Sequence, residues 1–378
     1  MGSLLFFIPA SFLSMPDIYM AMSSGQERRG WQTVGKRNEW SEAWQIAAVY
    51  IGTVIGAGFA TGREIIEFFT RYGAAGTVGV AVSGFLFTWG GVRLMVMARR
   101  IGASSYDELN RYLFGKTVSP FVTLMMTAMI GGVTAVMIAG AGAVFEEQLG
   151  WTRQGGVALT LALALMVMLL GRKGLFGVNV FVVPMMVLFS VFTFMKTVMA
   201  GELCRADVVA SDYSLKAVLS PFSYAAFNLA MAQAVLVPVA REASDEQIVK
   251  RGAVLGGIVL TVLLLLNHIV LLSFPYKGSY DIPMAEIVHT FFSVLYWFYV
   301  FVIYGEIFTS VIGGLFGLER QVRVWVPVRG KWLVILLVVL FAAVSPFHYG
   351  ELLSFIYPLF GYISLILLWL LWRRKLPR

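Results

Sequence analysis

The stretch 50–69, YIGTVIGAGFATGREIIEFF, constrains the fold of this chain more than any other part of it. An apolar helical pattern runs into Gly52, Gly56, Gly58 and Gly62, then resumes with Arg63, Glu64 and Glu67 beyond them. These glycines lie inside a hydrophobic segment long enough to cross a bilayer, which takes about 20 apolar residues. There a helix can give up its regular hydrogen bonds only where protein or a water-filled cavity satisfies the freed backbone groups. A glycine-interrupted span therefore points to a cavity, and paired broken helices recur in secondary transporters. The competing explanation is a small-residue face on which a neighbouring helix packs closely.

The 378 residues are 59% hydrophobic and 13% charged, which excludes an ordinary soluble domain and indicates a polytopic membrane protein. The formal charge of +8 does not argue for nucleic acid, because the basic residues are distributed between apolar spans as the positive-inside rule requires. The single cysteine, Cys204, allows no internal disulfide and no thiolate metal cluster. Residues 3–14 are apolar, but Pro9, Pro16 and Asp17 keep them short of a span, and no basic region precedes them as in a secretory signal. Residues 1–41 are expected to lie outside the fold.

Ten apolar spans follow, at 42–71, 75–98, 118–145, 155–171, 175–199, 218–240, 250–274, 287–316, 332–346 and 350–372. Basic pairs such as Lys36-Arg37, Arg99-Arg100, Arg172-Lys173 and Arg373-Arg374 fall in alternate connections. The intervening ones hold only Arg63, Arg71, Arg153, Arg205, Lys216 and Lys277. That asymmetry places both termini in the cytoplasm. The second five spans echo the first five at a nearly constant offset of about 175 residues. Because five is odd, the second unit enters from the opposite side, giving an inverted repeat of 42–199 and 218–372 with a cytoplasmic tail at 373–378. The repeat predicts that the sixth span is broken like the first. Its sequence carries Pro221, Ser223, Tyr224, Asn228 and Pro238. The rival reading is a continuous helix whose Ser and Asn bond back to it or bridge to a neighbour.

A break near Gly56-Ala57-Gly58 would free amides that suit an anionic group such as a carboxylate. The carbonyls ending the preceding half-helix would suit a small cation. In the eighth span Glu306, Thr309 and Ser310 stand at i, i+3 and i+4 and share a helical face. They predict a Na⁺ or proton site, against the alternatives that Glu306 pairs with a distant arginine or sits neutral in a helix contact. Arg63, Glu64 and Glu67 are read either as an outer gate or as a solvated helix end. His268 is read as a helix-contact residue. No His-Glu-x-x-His, Gly-x-Ser-x-Gly or P-loop pattern is present, so neither an enzyme nor a bound organic cofactor is expected.

The segment IGTVIGAGFATGREI at 51–65 resembles the first-helix motif of the YkvI-like bacterial membrane proteins. These are distant relatives of the amino acid–polyamine–organocation transporters and of the LeuT-type sodium symporters. The resemblance extends over about residues 40–375. It implies an all-α LeuT-type fold of ten transmembrane helices in a bacterial inner membrane, with substrate held where helices 1 and 6 are discontinuous. In sodium-coupled relatives one Na⁺ lies between helix 1 carbonyls, here Gly52 and Ile55, and a helix 8 Thr-Ser pair, here Thr309 and Ser310. Phe59 departs from that pattern, which has an asparagine serving a second sodium. Glu306 replaces a small apolar residue, which raises proton coupling or carboxylate-assisted cation binding. The resemblance implies a secondary transporter of a small solute, an amino acid or related zwitterion, working by alternating access. Thr53, Gly56, Ala57, Gly58, Ser223, Tyr224 and Asn228 are the expected substrate contacts. A proton-coupled permease, a non-transporting receptor of the germinant type and a channel are the alternatives.

Overall fold

The computed structural model describes residues 39–170, 176–201, 212–274, 280–325, 330–343 and 346–376. The N-terminal segment 1–38 and Cys204 lie outside the described residues. Among the described residues all regular elements are helical. The first apolar span is divided into α1 (Glu39–Val54), α2 (Ala57–Thr61) and α3 (Arg63–Phe68). The chain starts its helix at Glu39 rather than at residue 42. There follow α4 (Ala74–Arg100), the short amphipathic α5 (Tyr106–Phe114), and α6 (Ser119–Ala143), which ends in a π turn over Val144–Gln148. Next come α7 (Arg153–Leu170), α8 (Phe176–Met199), α9 (Leu215–Glu242) and α10 (Glu246–Ser273). The short α11 (Pro283–Phe291), then α12 (Tyr296–Trp325), α13 (Gly330–Ala342) and α14 (Tyr349–Arg373) complete the described chain.

Six helices are long and apolar enough to cross a membrane: α4, α6 with its π turn, α9, α10, α12 and α14. The apolar parts of α7, α8 and α13 among the described residues are Arg153–Leu169, Val183–Met199 and Trp332–Ala342. Some helix starts carry a side chain that satisfies a first-turn amide. Ser214 accepts from the Ala217 N–H and Asp245 from the Gln247 N–H.

Glycine and small residues let the helices approach closely, as interfaces in lipid require. Helix α1 lies against α9 and α10, which also pack on α4. Tyr50 of α1 is fully buried and donates to the Phe87 carbonyl of α4 at 2.8 Å. A Cβ at Gly91 of α4 or Gly256 of α10 would come within 2.8 or 2.7 Å of its ring. A second group forms where α12 packs on α6 and α8, with Gly314 of α12 seated on Thr134 of α6.

Side-chain bonds align the two groups. Glu42 of α1 accepts from the Ser244 N–H and hydroxyl, and Arg99 at the end of α4 donates to the Ala243 and Ser244 carbonyls. Tyr106, just after α4, donates to Gln321 near the end of α12. The start of α1 and the end of α12 therefore share one face of the molecule, and the two helices run antiparallel.

The expected discontinuity of the sixth span is not present. Helix α9 is continuous from Leu215 to Glu242 with Pro221 and Pro238 inside it. Each proline removes one backbone bond, but the segment contains no glycine and is rich in alanine, the best helix former. The Pro221 carbonyl is also held by the Ser83 hydroxyl at 3.0 Å. Asn228 bonds back to the Tyr224 carbonyl at 3.1 Å, as in the rival reading of this span.

Candidate functional site

The first span is broken where its glycines are densest. The ladder of backbone bonds runs to Ile55 N–H on the Ile51 carbonyl at 2.8 Å and resumes with Ala60 N–H on the Gly56 carbonyl at 3.0 Å. Between them, no backbone bond joins the amides of Gly56 to Phe59 with the carbonyls of Gly52 to Ile55. Acceptors and donors are thus released at one point inside the protein, where each must find a partner. Gly62 supplies a second bend, with φ of 80°; this left-handed geometry is open to glycine without a Cβ penalty. At Gly62 a Cβ would also meet Met284 at 2.6 Å.

Beyond that bend lies Glu64, 4% exposed. Its carboxylate rests on the backbone of α2, so close that a Cβ on Gly58 would stand 2.3 Å from Oε2. Asn228 of α9 donates to Oε1 at 3.5 Å, one turn on from Tyr224 of the same helix. Tyr224 is itself packed among Phe68, Phe69 and Phe87. Thr61 bridges the Gly58 carbonyl and the Tyr349 hydroxyl of α14, at 3.1 and 3.0 Å.

The residues expected to form an outer gate separate. Glu64 turns inward to Asn228 and Tyr224, and Glu67 pairs with Arg71 one turn on. Arg63 donates to the Tyr280 carbonyl at 3.3 Å and lies against Gly350. The expected substrate residues separate too. Tyr224 and Asn228 reach the break, whereas the Ser223 hydroxyl points at Gly361 of α14, where a Cβ would come within 2.2 Å of it. Thr53 bonds back to the Val49 carbonyl at 2.7 Å. Gly56 borders open space, with nothing within 4 Å of a Cβ built on it. Ala57, Phe59 and Ile55 are buried. Tyr349 and Tyr357 are neighbours of the site that reading the sequence missed. They are two of the three tyrosines, with Tyr362, in a strongly apolar helix, which was their signal in the sequence.

On the other side of the break stands α12. Tyr299 donates to the Ala60 carbonyl of α2 at 2.9 Å. Glu306 follows seven residues later on the same face, about 10 Å along a helix rising 1.5 Å per residue. Because α12 runs antiparallel to α1, this sets Glu306 near the depth of the released carbonyls. Glu306 is 4% exposed, and its Oε2 has no hydrogen-bond partner among the described residues. No ion pair among the described residues involves it, which removes a partnering arginine from the alternatives there. Thr309 donates to the Glu306 carbonyl at 3.1 Å. Ser310 is half-buried, and Gly313, on this same face, is exposed with nothing within 4 Å of a built Cβ.

The two ends of the site differ. At the end where α3 terminates, Arg153 is almost fully buried and bonds Glu146, Asp281 and the Phe347 carbonyl. Asp281 accepts from the Gly350 N–H at 2.9 Å, and Glu147 from the Asp281 and Ile282 N–H groups at 2.7 and 3.1 Å. These bonds tie the ends of α6, α7, α11 and α14 together. By contrast, Gly52, Gly56 and Ser310 are half-buried and Gly313 is exposed, all of them nearer the start of α1 than this cluster is. His268 acts as the expected helix contact, bonding Thr70 and Thr77 through its two ring nitrogens.

No family model matches the chain. It is similar to the membrane protein YkvI of Bacillus subtilis (strain 168), with 46% identity over 336 residues, 89% of this chain and 97% of that protein. Its structure is similar to that of MhsT in complex with L-phenylalanine, with a TM-score of 0.64 at 14% identity over 86% of this chain and 88% of that one. Against the inward-facing conformation of Mhp1 the TM-score is 0.54 at 14% identity, covering 85% and 73%. The architecture is that of the LeuT-type transporters, and by sequence the chain belongs to the YkvI family of membrane proteins.

Proposed function

We propose that this protein is a secondary transporter of a small solute, working by alternating access around the break in its first helix. The observation that carries this reading is the release of backbone donors and acceptors at Gly52–Phe59, deep in a membrane protein and between two buried carboxylates, Glu64 and Glu306. A structural helix gains nothing from such a break, whereas a binding site needs those groups. With both termini cytoplasmic, the end closed by Arg153 and Asp281 faces outward and the accessible end faces the cytoplasm. This conformation is then an inward-facing one.

For the coupling ion, the Gly52 and Ile55 carbonyls with the Thr309 and Ser310 hydroxyls form the Na⁺ site. Glu306 assists it or carries a proton in its place. The unpartnered Oε2 of Glu306 is what favours the proton-coupled alternative. The solute is an amino acid or related zwitterion, a reading supported by MhsT having been solved with L-phenylalanine. Its carboxylate end would meet the amides at Gly56–Gly58, although α2, five residues long, contributes little dipole there. The test is uptake into proteoliposomes by the Thr309→Ala, Ser310→Ala double variant. Loss of sodium dependence is expected; unchanged uptake with unchanged sodium dependence would refute the ion site.

A further inference from the structure

The chemistry around Glu64 identifies one end of the solute. Its carboxylate is buried, yet no ion pair among the described residues includes it. The nearby guanidinium, Arg63, is directed instead to the Tyr280 carbonyl and Gly350. The hydrogen-bond donor that reaches the Glu64 carboxylate, Asn228, is neutral. Two further buried tyrosines line this region of the fold: Tyr349, whose hydroxyl bonds Thr61 on the same turn of α2 that Glu64 rests on, and Tyr357, packed on Phe227 of α9 next to Asn228. A buried carboxylate without a counter-charge is strongly disfavoured, so such a site is completed by a cation or a proton. Tyrosine rings around a carboxylate are suited to an organic ammonium, which gains from the charge and from the aromatic faces together. A metal ion fits less well: no group of three His, Cys, Asp or Glu side chains that could hold one occurs among the described residues.

We propose that Glu64, with Tyr224, Asn228, Tyr349 and Tyr357, is the ammonium-binding pocket of this protein, so that the transported solute must carry a protonated amine. This rests on the transporter reading and goes further by making the ammonium group, rather than the carboxylate, the part that is required.

The test is thermal unfolding of the purified full-length protein. The probes are the common amino acids, their decarboxylated amines and the matching deaminated acids, each at equal ionic strength. Stabilisation by one or more amino acids and by the corresponding amine is expected, with none from the deaminated acid. Glu64→Gln should weaken that response at least about tenfold in apparent affinity, the scale of one charge-assisted hydrogen bond. If Glu64→Gln does not fold, Tyr224→Phe carries the test, with a several-fold weakening expected. The proposal is overturned if deaminated acids stabilise the protein as well as amino acids do. It is equally overturned if no amine stabilises it, or if the folded variant responds like the parent. Solute uptake that persists in any of these cases would retain the transporter and discard only the ammonium pocket.

Discussion

Gly56 and Gly58 are two residues apart and have opposite surroundings, which makes them a sharp pair for testing the site. A methyl group on Gly56 would enter open space, whereas one on Gly58 would overlap the Glu64 carboxylate. We predict that Gly56→Ala keeps the protein folded and changes solute affinity only modestly. Gly58→Ala should displace Glu64 and abolish amine-dependent stabilisation, as measured by the same unfolding assay. Glu306 offers a second residue-scale prediction. Glu306→Gln retains the shape but removes the ionisable group, so if Glu306 carries the coupling proton, uptake driven by a pH gradient should fall while sodium-driven uptake survives. Loss of sodium-driven uptake alone would instead place Glu306 at the Na⁺ site, and unchanged uptake under both gradients would remove it from coupling. The shared face of Glu306, Thr309 and Ser310 was legible in the sequence because helical spacing alone defines it. The position of Glu64 was not, because it depends on the bend at Gly62 and on Asn228, which only the tertiary fold brings beside it.

Among the elements, the broken first span and the continuous α9 show what local sequence can and cannot indicate. Four glycines within one span allowed either a break or a small-residue packing face, and the structure has the break. In α9 the two prolines suggested a second break, but alanine propensity and the bond from Ser83 to the Pro221 carbonyl outweigh them. The closing cluster around Arg153 was equally hidden, since its partners come from four separate elements. It also yields a prediction. Removing a buried ion-pair partner costs about 3 kcal/mol or more, although the exposed side of Glu146 will soften this. Arg153→Ala should therefore loosen the closed end. In a Cys204→Ser background, a cysteine placed at Thr61, which is fully buried beneath Tyr349, should resist a membrane-impermeant maleimide. The same cysteine should become reactive once Arg153 is replaced. Equal reactivity in both would show that the cluster does not hold this end shut.

For the whole molecule, under the proposed function the closed end, the accessible end and the break between them make up one half of an alternating-access cycle. The same fold could also serve a receptor that binds without carrying, and no single contact separates the two. The decisive measurement is the steady-state solute gradient across proteoliposomes under an imposed sodium or proton gradient, using an amino acid that stabilises the purified protein. A transporter must accumulate solute well above the number of protein molecules present, and lose it when the ion gradient is dissipated. That is the predicted result. Uptake that saturates at one solute per protein and ignores the gradient would contradict the account and leave a ligand receptor in its place.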